Sequence, residues 1–129
     1  MPHKVLSTGV LIRHPDSFNA NVTAVNTGAA TGQTAKVEIF DWGVEMVWSN
    51  PTPVSVGPSS TVAIPAYTQQ DFGALITQST AQPALSLTLY EIRITVPTDS
   101  RLIVNCFAID EQGNLVAANT VLHSQLVEI

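Results

Sequence analysis

Apolar and polar residues alternate with a period of two along most of this chain, the pattern of half-buried β-strands. The clearest stretch is LSLTLYEIRITV at 85–96, where Tyr90, Ile92, Ile94 and Val96 alternate with Glu91, Arg93 and Thr95. One face of that run is apolar and the other carries polar groups into water or a partner. Pro97, Asp99 and Ser100 then supply turn chemistry, and RLIVNCFAID follows at 101–110. Here Ile103, Phe107 and Ile109 share one face while Leu102, Val104 and Cys106 share the other, which predicts burial on both sides. The two runs read together as a central hairpin and as the core of the molecule.

The same alternation predicts strands on either side of that centre. KVLSTGVLIR at 4–13 is a first strand with Gly9 as a bulge or close-approach point, and FNANVTAVN at 18–26 is a half-buried second. In TAKVEIFDW, Val37 and Ile39 point away from Lys36, Glu38, Phe40 and Trp42. Asp41 breaks the apolar phase there, so a bulge at 41–43 is expected before the short run VEMVW. SNPTP is the strongest loop signal, because Pro51 and Pro53 cannot donate to a ladder. Pro65 confines TVAIPAY to an edge strand or ends it, and the stretch 68–84 reads as mainly irregular with one short strand. DEQGN is a turn with Gly113 at a positive-φ position, and LVAANTVLHSQLVEI runs to the last residue in strand-forming sequence. About eight short strands with Gly and Pro punctuation predict an all-β fold. The expected form is an antiparallel two-sheet β-sandwich, jelly-roll or immunoglobulin-like, spanning 1–129 as one domain.

Composition sharpens this picture in one respect. Only 12% of the 129 residues are charged while 45% are hydrophobic, so Thr, Ser, Asn, Gln and Ala must cover much of the surface. Five Lys and Arg against ten Asp and Glu leave a net charge of -5 with no basic cluster, which argues against nucleic acid. The apolar runs fall far short of the roughly 20 residues of a spanning helix, so membrane insertion is not expected. No secretory signal is visible in MPHKVLSTGV.

Candidate chemistry is sparse. Cys106, the single cysteine, lies mid-strand, where a buried thiol is the ordinary reading. A Cys106 and His123 nucleophile pair lacks any sign of an oxyanion hole. His3, His14 and His123 have no ligand spacing to one another or to Cys106, and DEQGN lacks the distal Glu of a calcium loop. No catalytic residue, metal site or cofactor is therefore expected. Trp42 and Trp48 are the candidates for a sugar-stacking platform, although tryptophans flanking a bulge more often belong to the core. Glu91 and Arg93 are two apart on one strand face and are placed to pair with each other or across strands, worth well under about 1 kcal/mol if exposed. More informative are the two chain ends: Val5, Leu6, Val10 and Ile12 at one, and Leu126, Val127 and Ile129 at the other, place apolar strands where domains usually fray into polar tails. These residues are the candidate subunit interface, by strand addition between copies of the chain.

The segments KVLSTGVLIR, VEIFDW, LYEIRITVPTDSRLIVNCFAID and TVLHSQLVEI resemble those of small β proteins of spore-forming Firmicutes. In size and strand pattern the chain is similar to endospore appendage subunits. That resemblance implies a jelly-roll subunit polymerising by strand addition, made in the mother-cell cytoplasm and placed on a cell or spore surface. The chain departs from those subunits in having neither a long N-terminal extension nor an N-terminal cysteine, so cross-linking is not implied. The expectation is a non-enzymatic structural subunit of a surface filament or layer, with copies of itself and other surface proteins as partners. The alternative is a soluble carbohydrate-binding module acting through Trp42 or Trp48.

Overall fold

A computed structural model describes residues 2–43, 51–80 and 85–129. The chain folds as an all-β sandwich of two antiparallel sheets, one of six strands and one of four. Its strands are β1 (His3–Ile12), β2 (Asn19–Val25), β3 (Thr34–Gly43), β4 (Thr52–Val54), β5 (Val62–Ala63), β6 (Gln69–Leu75), β7 (Leu89–Pro97), β8 (Ile103–Ile109), β9 (Leu115–Val121) and β10 (Val127–Glu128). Sheet A runs β10-β1-β7-β3-β4, with β5 also on β3, and sheet B runs β6-β2-β8-β9. Among the described residues the only helical piece is a single 3-10 turn, His123–Gln125, which carries the chain from β9 back to sheet A.

Between the sheets lies one core, and its members are the residues that the alternation assigns inward. Tyr90, Ile92, Ile94 and Val96 of β7 meet Val104 and Cys106 of β8, Ala20, Val22 and Ala24 of β2, and Val37 and Ile39 of β3, all essentially without exposure. Burying the Val and Ile side chains among them contributes about 1.5–3 kcal/mol each, enough to fix which face of a strand points inward.

The central hairpin does not form. β7 lies in sheet A between β1 and β3, while β8 lies in sheet B between β2 and β9. The turn between them crosses from one sheet to the other, so the apolar faces of both strands meet across the core instead of the strands pairing edge to edge. Gln33 fixes the crossing: its Oε1 accepts the Arg101 N–H at 2.9 Å, and the Ser100 N–H donates to the Pro97 carbonyl at 2.9 Å. A true hairpin forms one step later, β8 to β9, through the DEQGN turn. Gly113 there has φ 85°, and the Asp110 carboxylate accepts the N–H groups of Gln112 and Asn114 at 2.9 and 2.8 Å.

Several other expectations change. β8 is not buried on both faces: Val104, Cys106 and Ala108 are enclosed, whereas Ile103 is exposed and Phe107 and Ile109 are half-buried. SNPTP is not wholly loop, since Thr52–Val54 pairs with β3 at the sheet edge, with Pro53 opposite Phe40. An edge position tolerates a missing N–H donor on its open side. The stretch 69–75 is a full strand paired along its whole length with β2. Pro65 does end the short edge strand β5, as expected. Bulges occur at both anticipated places, between Ser7 and Val10 with Gly9 at φ 70°, and between Asp41 and Gly43. The run VEMVW, with Trp48, falls outside the described residues.

Candidate functional site

The outer face of sheet A can be assembled from register alone, because residues directly opposite in an antiparallel pair share a face. Ser7 stands opposite Arg93, Val10 opposite Glu91 and Val5 opposite Thr95, so all six lie on the side away from the core. Val127 stands opposite Ser7, and the Ile129 N–H donates to the Val5 carbonyl at 2.9 Å. An apolar strip of Val5, Val10, Ile12, Val127 and Ile129 therefore runs along the β1 and β10 margin. Val10, Ile12, Val127 and Ile129 are 49%, 74%, 62% and 63% exposed. The remaining interface candidates go elsewhere: Leu6 and Leu126 pack on the core and line a small cavity of about 110 Å³ with Lys4, Val96, Leu102, Val104 and His123. Those two leucines are spent within the subunit.

Beside the strip, the margin of β1 is only partly covered. β10 pairs with it at Leu6 and Ser7. At the other end Asn119 of β9, itself buried, donates from Nδ2 to the Ile12 carbonyl at 2.9 Å and accepts from the His14 N–H and the Ser17 hydroxyl at 2.8 and 2.6 Å. One amide thus closes the seam between the two sheets. Between these closures, residues 8–11 have no strand beside them on that side among the described residues. The bulge occupies this gap. The Thr8 hydroxyl accepts the Ile92 N–H that the bulge leaves unpaired, at 3.1 Å, and Ser7 Oγ accepts the Gly9 N–H at 2.9 Å.

Next to the strip lies a polar cluster on the face that the alternation assigns to water or a partner. Glu91 faces outward yet is only 5% exposed. Its carboxylate accepts from the Ser7 hydroxyl of β1, from the Trp42 indole N–H of β3 at 2.9 Å, and from Arg93 Nη2 at 3.1 Å. Arg93 in turn stacks over Phe40, 4.8 Å from the ring centre. Burial pushes the Glu91 carboxyl up, but Arg93, Ser7 and Trp42 together outweigh it and hold the carboxyl below its usual range. Glu91 and Arg93 do pair with each other, with the carboxylate buried and the guanidinium partly exposed. Trp42, half-buried, commits its only donor to Glu91, so the cluster ties three strands of sheet A together.

The other candidate residues are dispersed. Cys106 is fully buried and burial pushes its thiol up to about 12, while His123 Nδ1 accepts the Val104 N–H at 3.0 Å. No hydrogen bond joins the two among the described residues. His14 Nδ1 accepts the Asp16 N–H at 3.1 Å, and His3 is exposed at the start of β1. Among the described residues no three of His, Cys, Asp and Glu gather as metal ligands. Asp41, which sequence reasoning singled out only as a break in phase, is buried and pins the second bulge, accepting from the Gly43 N–H, the Ser79 hydroxyl and the Thr80 N–H at 2.8, 2.8 and 2.9 Å. A polar residue at an inward position was its one visible signal. No helix among the described residues is long and apolar enough to cross a membrane. No protein-family model matches the chain, and no curated protein matches it.

Proposed function

We propose that this chain is a non-enzymatic structural subunit that assembles with copies of itself through strand-mediated contacts, forming a filament or layer at a cell or spore surface. The observation that supports the reading is the outward strip of Val10, Ile12, Val127 and Ile129 beside the uncovered margin at residues 8–11. Soluble monomers protect such margins with charge, and Lys4 is the one lysine or arginine of β1. A second subunit laid along this margin buries the strip and offers main-chain partners to residues 8–11. The surface location rests on the resemblance to proteins of spore formers.

Removing the N-terminus is not a clean test. Residues 3–7 pair with β7, and Ser7 holds Glu91, so that deletion attacks the fold itself. The test is the double substitution Val10→Lys, Ile12→Lys, which places charge on exposed positions. Sedimentation velocity and negative-stain microscopy should show fibres or rings for the parent chain and a folded monomer for the variant. With few charges to screen, the assembly should also persist in high salt and chelator. A parent chain that stays monomeric at about 100 μM, well above the Kd of stable assemblies, overturns the proposal.

A further inference from the structure

The outer face of sheet B differs in kind from that of sheet A. Register places Gly73, Asn21 and Phe107 in one row across β6, β2 and β8, and Asp71, Thr23 and Asn105 in the next. Asn21 and Phe107 of the first row and Asp71 and Thr23 of the second, with Gln69 and Ile109, line an open depression of about 340 Å³, at the low end of small-ligand sites. Gly73, beside it in register, leaves room for the Asn21 amide. A Cβ at that position would lie 2.9 Å from Asn21 Oδ1, so any side chain there must displace the Asn21 amide.

The polar groups around the depression are arranged unequally. Asp71 is held from two sides, by the Thr23 hydroxyl at 3.2 Å and by Gln69 Nε2 at 3.1 and 3.4 Å to its two oxygens. The half-buried Asn21 amide has no hydrogen-bond partner among the described residues, which leaves both its donor and its acceptor free to a ligand. Phe107 and Ile109 supply an apolar surface beside them.

We propose that this face binds a neutral carbohydrate, with Phe107 receiving the C–H face of one sugar ring and Asn21 and Asp71 bonding its hydroxyls. The chemistry selects this class. A carboxylate accepts from hydroxyl groups, a free amide both donates and accepts, and a ring face takes the axial C–H groups that sugars present. No Lys, Arg or His lines the depression, so phosphates and acidic sugars lack a partner, and Asp71 repels them. The site lies on the sheet opposite Trp42, and it is independent of the assembly contact on sheet A.

The experiment is ligand-observed saturation-transfer NMR, which works for the monomer and for an assembly alike. The probes are tetramers of N-acetylglucosamine, β-linked glucose and α-linked glucose, each at about 1 mM, where millimolar Kd values are still detected. At least one tetramer should receive saturation at its ring C–H protons. Phe107→Leu keeps the apolar bulk, and Asn21→Asp keeps the volume; each should weaken binding about tenfold. Gly73→Ala should weaken it as well by displacing Asn21, while Trp42→Phe should leave it unchanged. Failure of all three tetramers, binding that survives Phe107→Leu in a folded variant, or binding abolished by Trp42→Phe in a variant shown to be folded each overturns the proposal.

Discussion

β7 and β8 follow one another in the chain and face each other across the core, yet their outer faces reverse what their side chains suggest. β7 alternates apolar with charged residues, the mark of a strand open to water on one side, and its outer Glu91 is sealed. β8 carries apolar residues on both sides, the mark of a strand covered twice, and its outer Ile103 lies open. The difference comes from neighbours. β7 has long strands on both flanks, so Ser7 of β1 and Trp42 of β3 close over its carboxylate. β8 is flanked fully by β2 but only partly by β9, whose pairing is broken by a bulge between Cys106 and Ala108. Alternation along a strand says which face meets the core; what covers the other face depends on strands remote in sequence.

The contrast is broken most directly by one substitution made at two places. Ile94 of β7 is fully buried, whereas Ile103 of β8 is 42% exposed. Ile94→Ala should destabilise the fold by about 3–4 kcal/mol, through lost burial plus a cavity that the tight core cannot close. Ile103→Ala should cost under about 1 kcal/mol. Urea unfolding of both variants measures the pair. Equal losses would mean that the outer face of sheet B is covered after all, contrary to the exposure of Ile103.

That same pair shows how much of the fold was legible beforehand. The inward set Tyr90, Ile92, Ile94 and Val96 could be read directly, because period two assigns faces without knowledge of partners. The hairpin could not. Pro97, Asp99 and Ser100 announce a reversal, but a reversal serves equally to pair two strands or to carry the chain to the opposite sheet. Gln33, the residue that fixes the crossing, lies far upstream. The candidate site was half legible for a similar reason. Apolar ends were visible, but Leu6 and Leu126 could be separated from Val10, Ile12, Val127 and Ile129 only once register and bulge were known. Asn21 and Phe107 face each other across β2 and β8, a pairing that no local pattern encodes.

A smaller effect sharpens the comparison from the side of β7. Glu91→Gln keeps the shape of the side chain but weakens its bonds to Arg93, Ser7 and Trp42, and should cost about 1–2 kcal/mol near neutral pH. The sign of its pH dependence follows from the direction of the shift. The folded carboxyl ionises more readily than free glutamate, so its stabilisation is complete above about pH 4.3, the ordinary glutamate value. It is lost as pH falls below that through the lower folded value. The stability gap between parent and Glu91→Gln should therefore narrow on going from about pH 6 to about pH 3, followed by denaturant midpoints at each pH. A gap independent of pH would show that Glu91 acts through packing alone, and the charged closure of β7 would fall.

The smallest effect belongs to the outer face of β8, where an aromatic residue ordinarily suggests a large contribution. Phe107 stands opposite Asn21, with Ala108 and Cys106 turned inward on either side of it, so its ring rests on the sheet without entering the core. Phe107→Thr keeps a side chain suited to a strand and removes the ring. Because the lost surface is already half in water and no cavity forms in a face open to solvent, the cost should stay within about 1 kcal/mol. The matching substitution in the core, Phe72→Thr, removes a ring only 2% exposed and leaves a polar group inside, so it should cost several times as much, about 3–5 kcal/mol. Thermal unfolding of the two variants compares them. If Phe107→Thr loses as much as Phe72→Thr, the ring is structural and the openness assigned to β8 is wrong. If it loses little, the chain keeps an aromatic residue on an exposed polar sheet at no benefit to its own stability, and the reason for the ring lies in what that face binds.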